Sequence, residues 1–175
     1  FQASPAGQDL LNVITDKGFQ GLAFWHNGMK QFSAPRPLLL PEDADGLKFR
    51  IMESDVLQAQ VQAIGGNPQK MALGEGYQAL QTGAIDAQEN TWSNIYSSKF
   101  YEVQDYMIFA QQSQFVATLI GNADWYDGLS ADQQKMIDGI TKTLVREGHD
   151  IQTQYNEERL ETIKEKSDIN IVELT

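Results

Sequence analysis

Arg50 sits inside "LKFRIM", a run that otherwise has the composition of a core strand. Arginine is almost never fully buried without a partner, so a guanidinium there marks either a structural ion pair or a ligand grip. If Leu47, Phe49 and Ile51 face one way, Lys48, Arg50 and Met52 share the other face or the strand end. A guanidinium held at a strand end presents a planar fork of donors that matches a carboxylate through two parallel bonds. The competing reading pairs it with one of the chain's own 24 acidic residues. A second cation, Lys30, follows the Asn-Gly of "WHNGMKQF", which reads as a tight turn after a strand, where loops commonly meet ligands. A solvated surface lysine is the alternative there. The third feature is "GAIDAQENTW", in which Asp86, Gln88, Glu89 and Asn90 gather hydrogen-bonding side chains beside Trp92. Asp86, Gln88 and Glu89 are assigned first to local hydrogen bonds that hold the loop. Trp92, like Phe24, Trp25 and Phe32, is open between core and cleft wall.

Covalent and acid/base catalysis have no visible machinery. The only histidines, His26 and His149, stand far apart in the chain and in no metal-ligand spacing. No nucleophile elbow, Walker loop or dinucleotide fingerprint occurs, and the glycines of "GEGYQALQTG" read as turn formers. Carboxylates pair at Asp86 with Glu89 and at Glu157 with Glu158, yet nothing in the sequence tunes them. No catalytic residue, metal site or cofactor is expected.

The formal charge of −11 repels phosphate backbones and anionic lipid heads, which argues against nucleic acid as a partner. Screening confines that field to about 8 Å at physiological salt, so one buried arginine can still bind a small anion. With no cysteine, disulfides and thiolate metal sites are excluded. The longest apolar runs, "FVATLI" and "RPLLLP", fall far short of the roughly 20 residues that span a bilayer. The opening "FQASPAGQDL" has neither a basic n-region nor an apolar h-region, and the expectation is that any export signal has been removed.

These residues need elements to hold them. "SPAGQDLLNVITDKG" reads as a helix stopping at Gly18, followed by a short buried strand "FQGLAFW" and a proline-rich loop over 26–46. Then come strand "LKFRIM", helix "DVLQAQVQAIG", strand "PQKMAL", helix "EGYQALQTG" and strand "AIDAQ". That alternation predicts an α/β lobe with largely parallel strands. "NTWSNIYSSKFYEVQ" reads as helical, and "YMIFAQQ" and "FVATLIG" as two strands joined by glutamines. From Ser130, Ile137, Ile140, Leu144, Ile151 and Tyr155 recur at helical spacing, predicting one helix nearly to Ser167, about 55 Å long at 1.5 Å per residue. "INIVEL" closes the chain as a strand.

Four ordered blocks, "HNGMKQFS", "PEDADGLKFRI", "AIGGNPQKMALGEGYQALQTGAIDAQEN" and "YSSKFYEVQDY", closely resemble the periplasmic solute receptors of TRAP transporters, the DctP family. The match covers about residues 8 to 140. The resemblance implies a periplasmic-binding-protein-like, two-lobed α/β fold with a long spine helix, of which this chain looks like a C-terminal portion lacking the N-terminal lobe. It implies returning parts of lobe I at 1–26 and 116–155, and lobe II at 27–115 and 156–175. The family's carboxylate-gripping arginine falls on Arg50 and its assisting asparagine on Asn90. Lys30 takes the place of a further basic contact, in a form like the C4-dicarboxylate branch. The chain departs from the family pattern at Leu73, where an aromatic is common in the cleft, at Ala87 for Gly and at Thr91 for Pro.

The implied function is a periplasmic receptor that binds a small-molecule carboxylate and passes it to TRAP membrane permease subunits, without catalysis and without itself spanning the membrane. The ligand-binding residues would be Arg50, Asn90, Lys30 and Leu73. Two other classes stand beside it: an α/β enzyme acting on a small organic acid with Asp86 or Glu89 as base, and an adaptor that uses the long acidic helix.

Overall fold

The structure is a computed structural model and describes residues 4–174; Phe1 to Ala3, which open the first expected segment, and Thr175 lie outside them. Twelve elements position the site. They are α1 (Pro5–Asn12), β1 (Phe19–Ala34), β2 (Lys48–Ile51), α2 (Asp55–Ala63), β3 (Asn67–Lys70), α3 (Gly76–Gln81), β4 (Ala87–Asn90), α4 (Trp92–Ser97), β5 (Tyr106–Asn122), α5 (Ala123–Asp127), α6 (Ala131–Lys166) and β6 (Asn170–Glu173). Contacts divide the chain into a first unit, Phe1–Gly28 with Phe115–Gln154, and a second, Met29–Gln114 with Tyr155–Thr175. The boundaries fall inside β1, β5 and α6.

The sheet runs in the order β3-β2-β4-β1-β5-β6. β2 is parallel to both β3 and β4, and β5 to β6, while β1 runs antiparallel to β4. The sheet is therefore mixed, with the parallel strands joined through α2 and α3 as the alternating sequence pattern demands.

Three expectations change. Asn27-Gly28 makes no tight turn: β1 continues through it for 16 residues, with Gly28 at φ +112° taking up the local irregularity. An Asn-Gly pair makes a hairpin only when its flanking segments pair with each other, and β1 pairs instead with β4, 55 or more residues away. The proline-rich loop accordingly starts after Ala34, not at residue 26. Its Asp43 carboxylate accepts the backbone N–H groups of Leu39 and Leu40 at 2.8 Å, and these bonds hold the carboxyl below its ordinary value. The glutamines at 111–114 likewise do not separate two strands. β5 runs unbroken from Tyr106 to Asn122, with Gln111 at φ +48° and its N–H donated to Gln31 Oε1 at 3.0 Å, a bulge satisfied by a side chain from the neighbouring strand.

The long helix forms as the spacing predicts, 36 residues and about 54 Å at 1.5 Å per residue. Its inward face is another matter. In the first unit Thr141 and Gly148 are buried and Ile137, Val145 and Gln152 partly so, while Ile140, Leu144 and Ile151 are exposed. Trp25 lies against Gly148, where an added Cβ would stand 2.6 Å from the indole. A ring that fits only over a glycine selects that face more strongly than an apolar stripe does.

The second unit carries two cores. One gathers Phe49, Ile51, Leu57, Val61, Ala87 and Ile108, with Phe32 edge-on to Phe49 at 5.8 Å. The other gathers Leu80, Ile85, Trp92, Ile95, Phe100, Met107 and Ile163, with Trp92 stacked on Phe109 at 5.8 Å. Phe32 and Trp92 are therefore core residues.

Candidate carboxylate-binding site

β2 is flanked on both sides, and in its ladders Arg50 stands opposite Gln69 of β3 and Gln88 of β4. Residues paired across a ladder share a face, and positions two apart on one strand do too. One face of the second unit thus carries Arg50, Gln88 and Asn90, with Ser33 opposite Gln88 and Gln31 opposite Asn90. The intervening residues Phe49, Ala87 and Phe32 turn to the other face and build the first core. Two-residue periodicity in three adjacent strands is what separates a polar patch from an apolar core, even in β2 and β4, which are four residues long each.

Arg50 is 2% exposed. Its Nε donates to the Met71 carbonyl at 2.9 Å. Among the described residues no carboxylate comes within 4 Å of its nitrogens, so the structural ion pair considered for it does not form. Burial pulls the guanidinium below its ordinary pKa, and the nearby charge of Glu89 opposes that pull. A buried guanidinium, aimed by one backbone bond and with its terminal donors uncommitted to any protein carboxylate, is prepared for an anion from outside.

Asn90 is 5% exposed, and the two ends of its amide differ. Oδ1 accepts from the Thr91 N–H at 3.0 Å and from Asn94 Nδ2 at 2.7 Å. Among the described residues no acceptor takes Nδ2. The carbonyl end is anchored at the start of α4 and the donor end is left for something else.

Lys30 is neither on a turn nor at the surface. It is 4% exposed on β1, and its Nζ lies 2.6 Å from Glu89 Oε2. Glu89 is itself 3% exposed; burial pushes its carboxyl above the ordinary value, while Lys30 and Arg50 pull it back down. Leu73 begins a short 3-10 helix after β3 and is half-buried against the second core. The register thus brings Arg50 and Asn90 to one face of β2 and β4, while Lys30 and Glu89, at the alternate positions of β1 and β4, pair with each other on the other face, and Leu73 lies in the segment that follows β3.

Glu89 was assigned by sequence to holding a loop, and the structure places it in a buried strand with a lysine 59 positions earlier. The available signal was a carboxylate at an alternate position of a run that is otherwise buried. Gln88 was given the same task; its Nε2 donates to Ser33 Oγ at 2.9 Å, and Ser33 Oγ donates to Gln104 Oε1 at 2.9 Å, tying β4, β1 and the segment that precedes β5 together. Asp86 does hold backbone: its Oδ2 accepts the Lys48 N–H at 2.9 Å. With Asp86 committed to Lys48 and Glu89 to Lys30, neither is placed as a general base. Among the described residues there is no cluster of three or more metal-ligating side chains, and no helix is long and apolar enough to cross a membrane.

The family described as bacterial extracellular solute-binding protein, family 7, or DctP, matches residues 1–175. The chain belongs to the DctP family. A C4-dicarboxylate-binding periplasmic protein DctP of Vibrio cholerae is 53% identical over 132 residues, 75% of this chain and 40% of that protein. A TRAP periplasmic solute-binding protein of Shewanella oneidensis, solved with succinate bound, superposes with a TM-score of 0.94 at 42% identity, covering 99% of this chain and 57% of that one. A second, of Pseudomonas aeruginosa with bound L-malate, superposes with a TM-score of 0.96 at 31% identity over 100% of this chain and 61% of that one. This DctP-family chain spans about half the length of the curated relatives it matches. The two-lobed fold of TRAP receptors is the fold it shares, and the family is one of solute-binding proteins rather than enzymes.

Proposed function

We propose that this chain carries the carboxylate grip of a TRAP transporter's extracytoplasmic solute receptor, which takes up a small organic acid of the C4-dicarboxylate class in the periplasm and delivers it to the membrane permease subunits. Arg50 forms a two-bond fork with the ligand carboxylate, and Asn90 Nδ2 donates a further hydrogen bond to it. Lys30 adds positive potential beside the grip, and Leu73 supplies apolar wall. The second unit is read as the grip-bearing lobe, and the first as returning parts of the other.

The observation that carries this reading is Arg50: buried, aimed by the Met71 carbonyl, and without a carboxylate partner among the described residues. The relatives solved with succinate and L-malate support the ligand class. The test is a calorimetric screen of succinate, malate, fumarate and unrelated neutral sugars against the complete gene product, with each hit incubated and assayed for turnover. Saturable binding of one or more acids without product is expected. Binding only of neutral solutes, or conversion of a bound acid, would overturn the proposal.

A further inference from the structure

A chain of hydrogen bonds on the Arg50 face fixes its own direction. Gln104 Nε2 donates to the Asp86 and Val103 carbonyls at 3.3 and 3.1 Å, so its Oε1 is the end left to accept. Ser33 gives its only hydroxyl proton to that oxygen at 2.9 Å, and its Oγ can then only accept from Gln88 Nε2, also at 2.9 Å. The amide of Gln88 is oriented as a result, with its nitrogen toward Ser33 on β1 and its Oε1 turned away. On the other side of β4 lies β2, where the residue paired with Gln88 is Arg50. Gln88 is fully buried, and among the described residues nothing donates to its Oε1. Arg50 is buried too, and beyond its Nε bond to the Met71 carbonyl no acceptor among the described residues takes its nitrogens. A buried acceptor that lacks a donor and a buried guanidinium with donors to spare are therefore ladder partners on one face, across strands about 4.8 Å apart.

Resting on the proposed function, we infer that Gln88 is a positioning residue for the grip: its Oε1 accepts from a terminal nitrogen of Arg50 and, with the Met71 carbonyl on Nε, sets the plane in which the fork meets a carboxylate. A single acceptor on Nε leaves the planar guanidinium free to tilt about that bond, and a second acceptor removes the tilt. The five N–H donors of an arginine suffice for both tasks, two held by the protein and two offered to the ligand. An amide oxygen also orients the guanidinium without neutralising it, so the full charge is kept for the ligand carboxylate. Ser33 and Gln104 serve by keeping the amide of Gln88 from turning its donor end toward Arg50.

The readout is calorimetric affinity of the complete gene product for whichever of succinate, malate and fumarate binds most tightly, in a cycle of Gln88→Met and Arg50→Lys. Methionine keeps an unbranched side chain and removes the amide. Gln88→Met is expected to weaken binding about fivefold or more in the unmodified background and less than about twofold in the Arg50→Lys background, because a lysine ammonium has no plane to hold. Similar losses in both backgrounds, or no loss in a folded Gln88→Met variant, overturn the inference, while a loss in Arg50→Lys itself still upholds the proposed function. A structure of the unmodified protein with the same acid gives a check that does not depend on a variant folding. Gln88 Oε1 within about 3.2 Å of an Arg50 terminal nitrogen supports the positioning role, and a longer separation with the carboxylate held by Arg50 overturns it. Failure of the unmodified protein to bind any of the three acids overturns the proposed function and this inference with it.

Discussion

Replacing Arg50 by lysine keeps the positive charge and removes the fork. The side chain is 2% exposed, so no solvent stands ready to substitute for lost bonds. A lysine ammonium is a point donor on a flexible stem, and it cannot hold both oxygens of a carboxylate in one plane. Losing one of two charge-assisted bonds costs about 1.5–3 kcal/mol, a fall in affinity of roughly 10- to 150-fold at about 1.4 kcal/mol per decade. The same substitution removes the Nε donor from the Met71 carbonyl, a separate loss of about 1 kcal/mol in folding stability. Calorimetric titration of the complete gene product with succinate measures the first effect, and thermal unfolding without ligand measures the second. Affinity for succinate within threefold of the unmodified protein would refute the assignment of Arg50 as the grip. A fall in affinity accompanied by loss of the cooperative transition would be a folding effect and is distinguished by the ligand-free melt.

Other substitutions test the surrounding structure. Lys30→Met strands the buried Glu89 carboxylate and should cost about 3–5 kcal/mol in denaturant unfolding, while Lys30→Met with Glu89→Leu should recover most of it; equal losses in both variants would show that the pair is not coupled. On α6, Gly139 has open space around it and Gly148 does not. Gly139→Ala should stabilise by about 0.5–1 kcal/mol through helix propensity, whereas Gly148→Ala should destabilise by about 1–3 kcal/mol through its overlap with Trp25, and the same sign for both would contradict the packed face described. His26 and His149 stand with ring centroids 4.9 Å apart, and desolvation followed by the charge of His149 lowers the pKa of His26. The unfolded chain therefore takes up the proton first, so stability is full above about pH 6.5 and falls as the pH drops toward the lower folded value. Melting temperatures between pH 8 and 5.5 should show that slope, and His26→Gln should flatten it; an identical slope would rule out His26 as its source.

Much of the site was legible because its signals are local. An arginine at an alternate position of a short apolar strand needs a reason to be there, and Arg50 is found buried in β2. Capping chemistry was equally readable: Ser130 and Gln133 bond reciprocally at the head of α6, as their spacing predicts. Lys30 was misread because Asn27-Gly28 is a turn signal only when the two flanking segments pair together, and that is decided by which distant strand docks. Glu89 was misread for the same reason. Its partner is set by the antiparallel register in which Phe32 stands opposite Glu89, a fact no window of a dozen residues contains.

The sequence alone determined the alternation of strands and helices, the length of α6 and the residue types that can hold a carboxylate, since each rests on periodicity and side-chain chemistry carried within a segment. Tertiary structure alone decided which charges are available. Lys30 has a protein carboxylate beside it and Arg50 has none within 4 Å among the described residues, because only the register of β1 against β4 brings Glu89 to Lys30 at 2.6 Å, and no periodicity within a segment encodes that pairing.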